Sequence, residues 1–300
     1  MVLVLGGTGF IGKNICHALA QKGYQVTSFD RIVTEFDGPV ESVVGDFFDD
    51  ENLFSWVDKA DCIVHAISTV STNNCKDQYM RGYEKDFLQS VKLFDYASQK
   101  GKKVIFLSSG GTVYGNPKTI PTPETEPNRP ISHYGAIKLC LETVAQVFNR
   151  ERGNCIYSMR VANPYGPGQD FTKGIGFIDA VIRKALTGET LSIWGDGNIV
   201  RDYIYITDVA EIACFLVEYN GEHTAINVGS GVGTSQNQII EYAKELGLSL
   251  AVEYIEARSV DVSVNTLDTT LLQSVYKKEL TSLQEGMKKY CQYLSERIKG

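Results

Sequence analysis

The chain has 300 residues, enough for one large α/β domain and a smaller companion region, with 43% apolar and 22% charged residues in globular proportion. A net charge of −7 excludes a general nucleic-acid binder, whose partner demands a basic surface, yet one or two arginines would still suffice for a small phosphorylated ligand. Seven scattered cysteines without C-x-x-C spacing predict reduced thiols rather than a disulfide framework or a zinc site.

In chain order, short apolar runs recur at Val2–Leu5, Gln25–Phe29, Cys62–His65, Val104–Leu107 and Ile156–Val161. They are rich in β-branched residues and bounded by Gly, Asp or Ser, as expected of strands buried on both faces. Amphipathic stretches lie between them at Ile11–Gly23, Asp86–Lys100 and Tyr134–Arg150. This alternation predicts an α/β fold with a doubly wound parallel sheet (Rossmann type) over residues 1–163. Asn163-Pro164-Tyr165-Gly166-Pro167-Gly168 is a turn-rich junction, and residues 164–300 read mainly as a smaller, substrate-binding region. Segments near 200–228 are expected to return to the main sheet, with Ile204–Ile206 and Ala225–Val228 as strands. No apolar run reaches membrane length and no leader precedes Val2, so the cytosol is the expected location.

The first strand runs directly into Gly6-Gly7-Thr8-Gly9-Phe10-Ile11-Gly12 and a helix. Gly6 permits the tight turn, Gly9 lets a diphosphate approach, and Gly12 lets helix and strand pack closely. The first helical residues, Phe10 and Ile11 among them, present free N–H groups and the positive dipole end. Asp30 ends the second strand, where a carboxylate accepts the ribose hydroxyls of NAD and repels a 2′-phosphate; Arg31 beside it could receive that phosphate and keeps NADP open.

Tyr134 and Lys138 are four apart on one helix face, so the ammonium and the positive nicotinamide ring together are expected to lower the phenol toward a useful proton-transfer range. Upstream, Ser108-Ser109-Gly110-Gly111-Thr112-Val113-Tyr114-Gly115 follows the strand ending at Leu107, placing hydroxyls at the ligand edge of the sheet. Hydroxyl cluster, Tyr and Lys in this order read as an oxidoreductive site. His17, His65, His133 and His223 lack metal-ligand spacing, and no metal is expected.

With these motifs the chain resembles the extended short-chain dehydrogenase/reductases, in the NAD-dependent sugar-nucleotide epimerase/dehydratase family. The resemblance is nearly end to end. It covers residues 6–12, Asp30, Asp46-Phe47, Val64-His65-Ala66, residues 108–115, 134–138, 160–169 and 194–210, then Arg258 and Asp261. It implies that Tyr134 is the acid/base and that Lys138 binds the nicotinamide ribose. Asp46, Phe47, His65, Ala66 and Ser108 would line the cofactor. Asn163, Arg201, Arg258 and Asp261 would hold the nucleotide diphosphate end of a sugar-nucleotide substrate. Many relatives carry a catalytic Ser or Thr at the slot of Gly110; Ser109 is the nearest replacement here and Thr112 the second choice. The Asn common in the Y-x-x-N segment is Asp86, followed by Gln89 and Ser90 where small residues are usual.

Related dehydratases and decarboxylases set carboxyl groups beside the catalytic hydroxyl, and Gly110 and Gly111 have none to transfer a proton. Two reactions remain: NAD-dependent 4-epimerisation of a UDP-hexose, with or without an N-acetyl group, and NAD(P)H-dependent reduction of a 4-keto-6-deoxy sugar nucleotide. A dinucleotide-sensing protein would need neither Tyr134 nor Lys138. The resemblance also implies a homodimer formed through helices within 77–100 and 132–152.

Overall fold

The computed structural model describes residues 1–153, 155–170, 176–256 and 262–298. Its first half alternates strands and helices: β1 (Val2–Leu5), α1 (Phe10–Gln21), β2 (Val26–Asp30), β3 (Val40–Val44), α2 (Asp50–Lys59), β4 (Cys62–His65) and α3 (Cys75–Arg81). A π-helical turn, Gly82–Phe87, then joins α3 to α4 (Leu88–Gln99), followed by β5 (Lys103–Ser109), α5 (His133–Arg152) and β6 (Ile156–Val161). The helix expected to begin at Asp86 thus starts earlier and is interrupted by one wide turn. The second half contains β7 (Asn163–Tyr165), α6 (Phe177–Thr187), β8 (Leu191–Trp194), β9 (Val200–Tyr205), α7 (Ile206–Glu218) and β10 (Ala225–Val228). It ends with β11 (Gly233–Ser235), α8 (Gln236–Glu245), β12 (Val252–Ile255), β13 (Val264–Asn265), α9 (Thr270–Val275) and α10 (Leu283–Ile298).

Seven strands form one parallel sheet in the order β10-β6-β5-β4-β1-β2-β3, the doubly wound Rossmann arrangement. The chain runs outward from β1 to β3, then returns to β4 and runs the other way. Strand order therefore reverses between β1 and β4, and a crevice opens at their carboxyl ends. Both faces are covered, which explains the unbroken apolar runs. Val2 and Val4 join Ile15, Leu19, Val209 and Ile212 on the face carrying α1 and α7. Leu3 and Leu5 join Leu53, Phe94, Ile137 and Leu141 on the face carrying α2, α4 and α5. Each such side chain contributes about 1.5–3 kcal/mol by leaving water.

Of the two segments expected back in the main sheet, Ala225–Val228 pairs in parallel with β6 as β10. Ile204–Ile206 does not return. Ile204 and Tyr205 lie in β9, which pairs with β7, β11 and β13, and Ile206 begins α7. A separate apolar cluster unites Tyr165, Ile178, Ile182, Ile193, Tyr203, Ile239 and Tyr290 in this second half. Among the described residues, no helix is long and apolar enough to cross a membrane.

Candidate active site

The glycine turn fits a dinucleotide diphosphate. Gly6 has φ +82°, and a Cβ there would meet Ile67 Cγ1 at 3.0 Å and the Ala66 carbonyl carbon at 3.2 Å. A Cβ on Gly12 would lie 2.2 Å from Gly6 O, so α1 can approach the turn this closely only without a side chain. Gly9 is the N-cap of α1; no side chain caps this helix and no acidic residue stands in its first turn. The N–H groups around Phe10 and Ile11 and the positive dipole end are left for an anion. At the end of β2, Asp30 Oδ2 accepts from the Thr8 hydroxyl (2.6 Å) and N–H (3.3 Å), and Oδ1 from the Arg31 N–H (2.7 Å). This fixes the carboxylate beside the turn while the Arg31 side chain is exposed. Thr8 was not singled out from the sequence; its signal is a hydroxyl inside the glycine turn.

Strands β3 and β4 supply the next wall. Asp46 is exposed and accepts from the Phe48 N–H at 3.0 Å. Phe47 is buried, with its ring 5.0 Å from that of His65. The His65 ring also meets Phe94 and Phe106, and its Nε2 pairs with the Ser90 hydroxyl at 2.8 Å. Burial, with the Lys138 charge behind it, pushes this imidazole down to about 3 and leaves it neutral. The His65 ring is thus a core group rather than a ligand contact. Ala66, by contrast, abuts Gly6 through its backbone.

Strand β5 and helix α5 bring the proton-transfer pair to the same edge. Ser132 caps α5 by accepting from the Gly135 N–H at 3.2 Å, which sets the start of the helix beside the Ser109–Thr112 loop. A Cβ on Gly135 would come 2.6 Å from Thr112 O, so the loop and the first turn touch through backbone. Lys138 is buried; its ammonium donates to Leu107 O at 2.9 Å and lies 5.6 Å from the Tyr134 ring centre. Within the protein itself, Lys138 is not the largest influence on the Tyr134 phenol. Burial is the larger effect and, with Asp86 and Cys75 nearby, pushes Tyr134 up to about 12. Burial also pushes Lys138 down to about 8, against the opposing pull of Asp86 and Glu142.

The hydroxyls of the loop separate. Ser108 donates to the buried carboxylate of Glu142, so its side chain is committed inside the protein, contrary to its expected place against a cofactor. Ser109 is half-buried at the end of β5. Thr112 Oγ1 is buried and finds no hydrogen-bond partner among the described residues. A Cβ on Gly110 would lie 2.6 Å from Leu267 Cδ1 and 2.8 Å from Arg160 O, because the segment around β13 closes over the loop. A side chain at 110 has no room, which explains the glycine. On Gly111 only Ser109 Oγ would lie within reach of a Cβ, at 3.9 Å.

The residues expected on the substrate side, Asn163 and Arg201, stand on β7 and β9, which pair with Asn163 opposite Tyr203. Asn163 donates to Asp202 O at 2.8 Å. Arg201 is half-buried, with its guanidinium donating to Val200 O at 2.9 Å. Past β7, Pro167 O accepts from Asn14 at 3.1 Å, bringing this segment against the first turns of α1 and hence over the phosphate turn. Arg258 and Asp261 lie outside the described residues.

Comparison with known proteins agrees with this geometry. The model of the NAD dependent epimerase/dehydratase family matches residues 2–229. The chain belongs to that family, and it is an NAD-dependent enzyme. A putative UDP-glucose 4-epimerase of Methanocaldococcus jannaschii is 30% identical over 98% of both chains. A dTDP-4-dehydro-6-deoxyglucose reductase of Escherichia coli is 31% identical over 80% of this chain and 79% of its own. The crystal structure of a UDP-glucose 4-epimerase from Thermotoga maritima with UDP-glucose superposes with a TM-score of 0.91, at 31% identity and 99% coverage of both chains.

Proposed function

We propose that the enzyme interconverts the C4 epimers of a UDP-hexose through a transient 4-keto sugar, with NAD retained through the cycle. The observation that carries this reading is the convergence of Tyr134, Lys138 and the Ser109–Thr112 hydroxyls beside a loop whose Gly110 and Gly111 hold no carboxyl group. UDP-glucose and UDP-galactose, or their N-acetyl forms, are its substrates; the likeness to the Thermotoga maritima complex supports the uridine nucleotide.

When bound, NAD supplies the hydride acceptor and donor, together with a positive charge beside the phenol that opposes the effect of burial. Gly6, Gly9, Phe10, Ile11 and Gly12 would hold its diphosphate, and Asp30 its adenosine ribose. Lys138 binds the second ribose and keeps a positive charge next to Tyr134. Tyr134 takes the proton of the 4-hydroxyl and returns it after the keto sugar has turned over. Ser109 holds the 4-oxygen, with Thr112 as the second candidate. Asn163 and Arg201 orient the diphosphate, Arg201 through its forked guanidinium. Water elimination would need an acid and a base beside the hydroxyl, and the glycine pair provides neither.

The likeness to the Escherichia coli reductase favours one second reading, in which the same residues run a single half-reaction on a 4-keto-6-deoxy sugar nucleotide. An NMR time course with UDP- and dTDP-sugars separates the two. Interconversion of UDP-sugar epimers without added cofactor is the expected result. Turnover of a 4-keto sugar only with stoichiometric NAD(P)H would overturn it.

The same reading pairs two copies of the chain through α4 and α5. It is supported by Leu88 on α4 and Val147 on α5, which are 54% and 46% exposed although apolar. Sedimentation should give twice the chain mass, and Leu88→Glu with Val147→Glu should halve it.

A further inference from the structure

Asn14 joins the helix that opens at the glycine turn to a segment of the second half. Its side-chain amide is half-buried in the second turn of α1 and donates twice, to Phe10 O at 2.9 Å and to Pro167 O at 3.1 Å. The first bond follows from the helical period, since side chains lean toward the helix N-terminus and over the residue four back. That lean carries the amide toward the first turn of α1. The earliest helical N–H bonded within the chain there is that of Lys13, to Gly9 O, so the N–H groups before it remain for an anion.

The segment that meets Asn14 presents its carbonyl by design of the turn. Gly166-Pro167-Gly168-Gln169 closes tightly, with the Gln169 N–H donating to Gly166 O at 3.3 Å. Proline stands second, its φ fixed by the ring, and Gly168 third at φ +89°, the arrangement of a type II turn. The central carbonyl, Pro167 O, takes no part in the turn's own hydrogen bond and is left for a donor outside it. A Cβ on Gly168 would stand 3.5 Å from the Asn14 amide nitrogen and 3.9 Å from the Phe10 ring, so the turn lies against the first turns of α1. Its base belongs to the other half. Tyr165 is buried in the second-half cluster and donates to Leu283 O at 3.2 Å, and a Cβ on Gly166 would meet Ile206 at 2.7 Å. The turn therefore bridges the two halves, and Asn14 ties its tip to the first.

We propose that Asn14 is a positioning residue for the cofactor: by holding the Gly166–Gln169 turn against α1, it closes the outer side of the diphosphate site and slows the departure of NAD. Release then waits for the turn to swing off the helix. A hydrogen bond between neutral groups is enough to make the open form several-fold rarer. An amide suits the task because one nitrogen carries two N–H donors, one for the helix and one for the turn, where a hydroxyl has a single donor. The inference deepens the proposed function, in which NAD stays on the enzyme through the cycle, and it rests on the glycine turn as the diphosphate site.

Its test needs no sugar. NADH is loaded on the enzyme and chased with excess NAD, and release is followed by the loss of bound-NADH fluorescence. Asn14→Leu removes both hydrogen bonds at nearly constant size. Asn14→Ser keeps a donor for Phe10 O, since a helical serine bonds four residues back, but is too short for Pro167. Release is expected to be about threefold to tenfold faster in both variants, with the thermal midpoint of the cofactor-free protein little changed. Wild-type release in both variants, or acceleration in Asn14→Leu alone, overturns the proposal and reduces Asn14 to a contact within α1. Acceleration that comes with a fall of several degrees in the midpoint overturns it as well, because general loosening then accounts for the release. Failure of the proposed epimerase activity would appear separately, in the sugar time course, with cofactor release still readable.

Discussion

Glu142 and Arg160 form a buried ion pair, 2.7 Å between Oε2 and Nη2, and the same carboxylate accepts the Ser108 hydroxyl at the end of the catalytic strand. Arg160 also donates to the Tyr114 hydroxyl (2.7 Å) and to Glu124 O (3.2 Å), and Tyr114 in turn donates to Asn227 (2.7 Å). One network thus ties α5, β5, β6 and β10 together under the site. Glu142 lies one helical turn beyond Lys138 and Tyr134 two turns before it, so the pair also fixes the register of the catalytic helix.

Removing one partner of this pair strands a buried charge. Arg160→Met is expected to lower unfolding stability by about 3–5 kcal/mol, read from urea denaturation. The double variant Arg160→Met, Glu142→Leu should lose clearly less, because no charge is left uncompensated. Equal losses in both would contradict the account of the network.

His65 predicts an acid-sensitive fold. Its folded-state value of about 3 lies below its ordinary value of 6.5, so the folded form binds fewer protons than the unfolded one. Its contribution is complete above pH 6.5 and is lost as pH falls toward 3. Between pH 7 and pH 5 the wild type should lose about 2 kcal/mol of stability from this residue alone. Denaturant curves for His65→Gln should show a fall smaller by that amount; parallel falls would count against a buried neutral imidazole.

In the proposed function Asp30 would govern the choice between NAD and NADP. Asp30→Ala should weaken NAD binding by about tenfold or more, since a hydrogen bond to a charged group contributes roughly 1.5–3 kcal/mol. NADP binding should weaken less or improve, because a repelling charge has gone while exposed Arg31 remains. Calorimetric titration of both cofactors checks this, and an undiminished NAD affinity would remove Asp30 from the ribose.

The two loop hydroxyls can be told apart by what their loss costs. Ser109→Ala is expected to reduce kcat by about a hundredfold, in the range of a positioned proton-transfer partner, with little effect on stability. Thr112→Val replaces a buried, unpartnered hydroxyl with a methyl of similar size and should leave the thermal midpoint unchanged or raised. A larger kcat loss in Thr112→Val than in Ser109→Ala would transfer the role to Thr112.

Much of the framework is legible from local rules. The spacing of Gly6, Gly9 and Gly12 after an apolar strand is a backbone requirement, and the structure meets it through a positive φ and a close approach that exclude side chains. Alternating strand and helix runs announce the parallel sheet, because strands covered on both faces must be apolar throughout. Tyr134 and Lys138 share a face for the same local reason, the helical period.

What depended on distant parts of the chain was not legible. Ser108 and Ser109 are neighbours of identical chemistry, but strand alternation sends them to opposite faces, and only the buried Glu142 shows which one is spent inside. The glycine at 110 is explained by Leu267, more than half the chain away, and the destination of β9 by pairing with β7, β11 and β13. The sign of the shift on Tyr134 was likewise a tertiary matter. The sequence by itself determined the glycine turn, the Rossmann order of elements and the shared helix face of Tyr134 and Lys138, each written within a few residues. The depth of burial and the field of Asp86 arise only when α3, the π-helical turn and α5 close on one another, because desolvation and charge act through space and not along the chain.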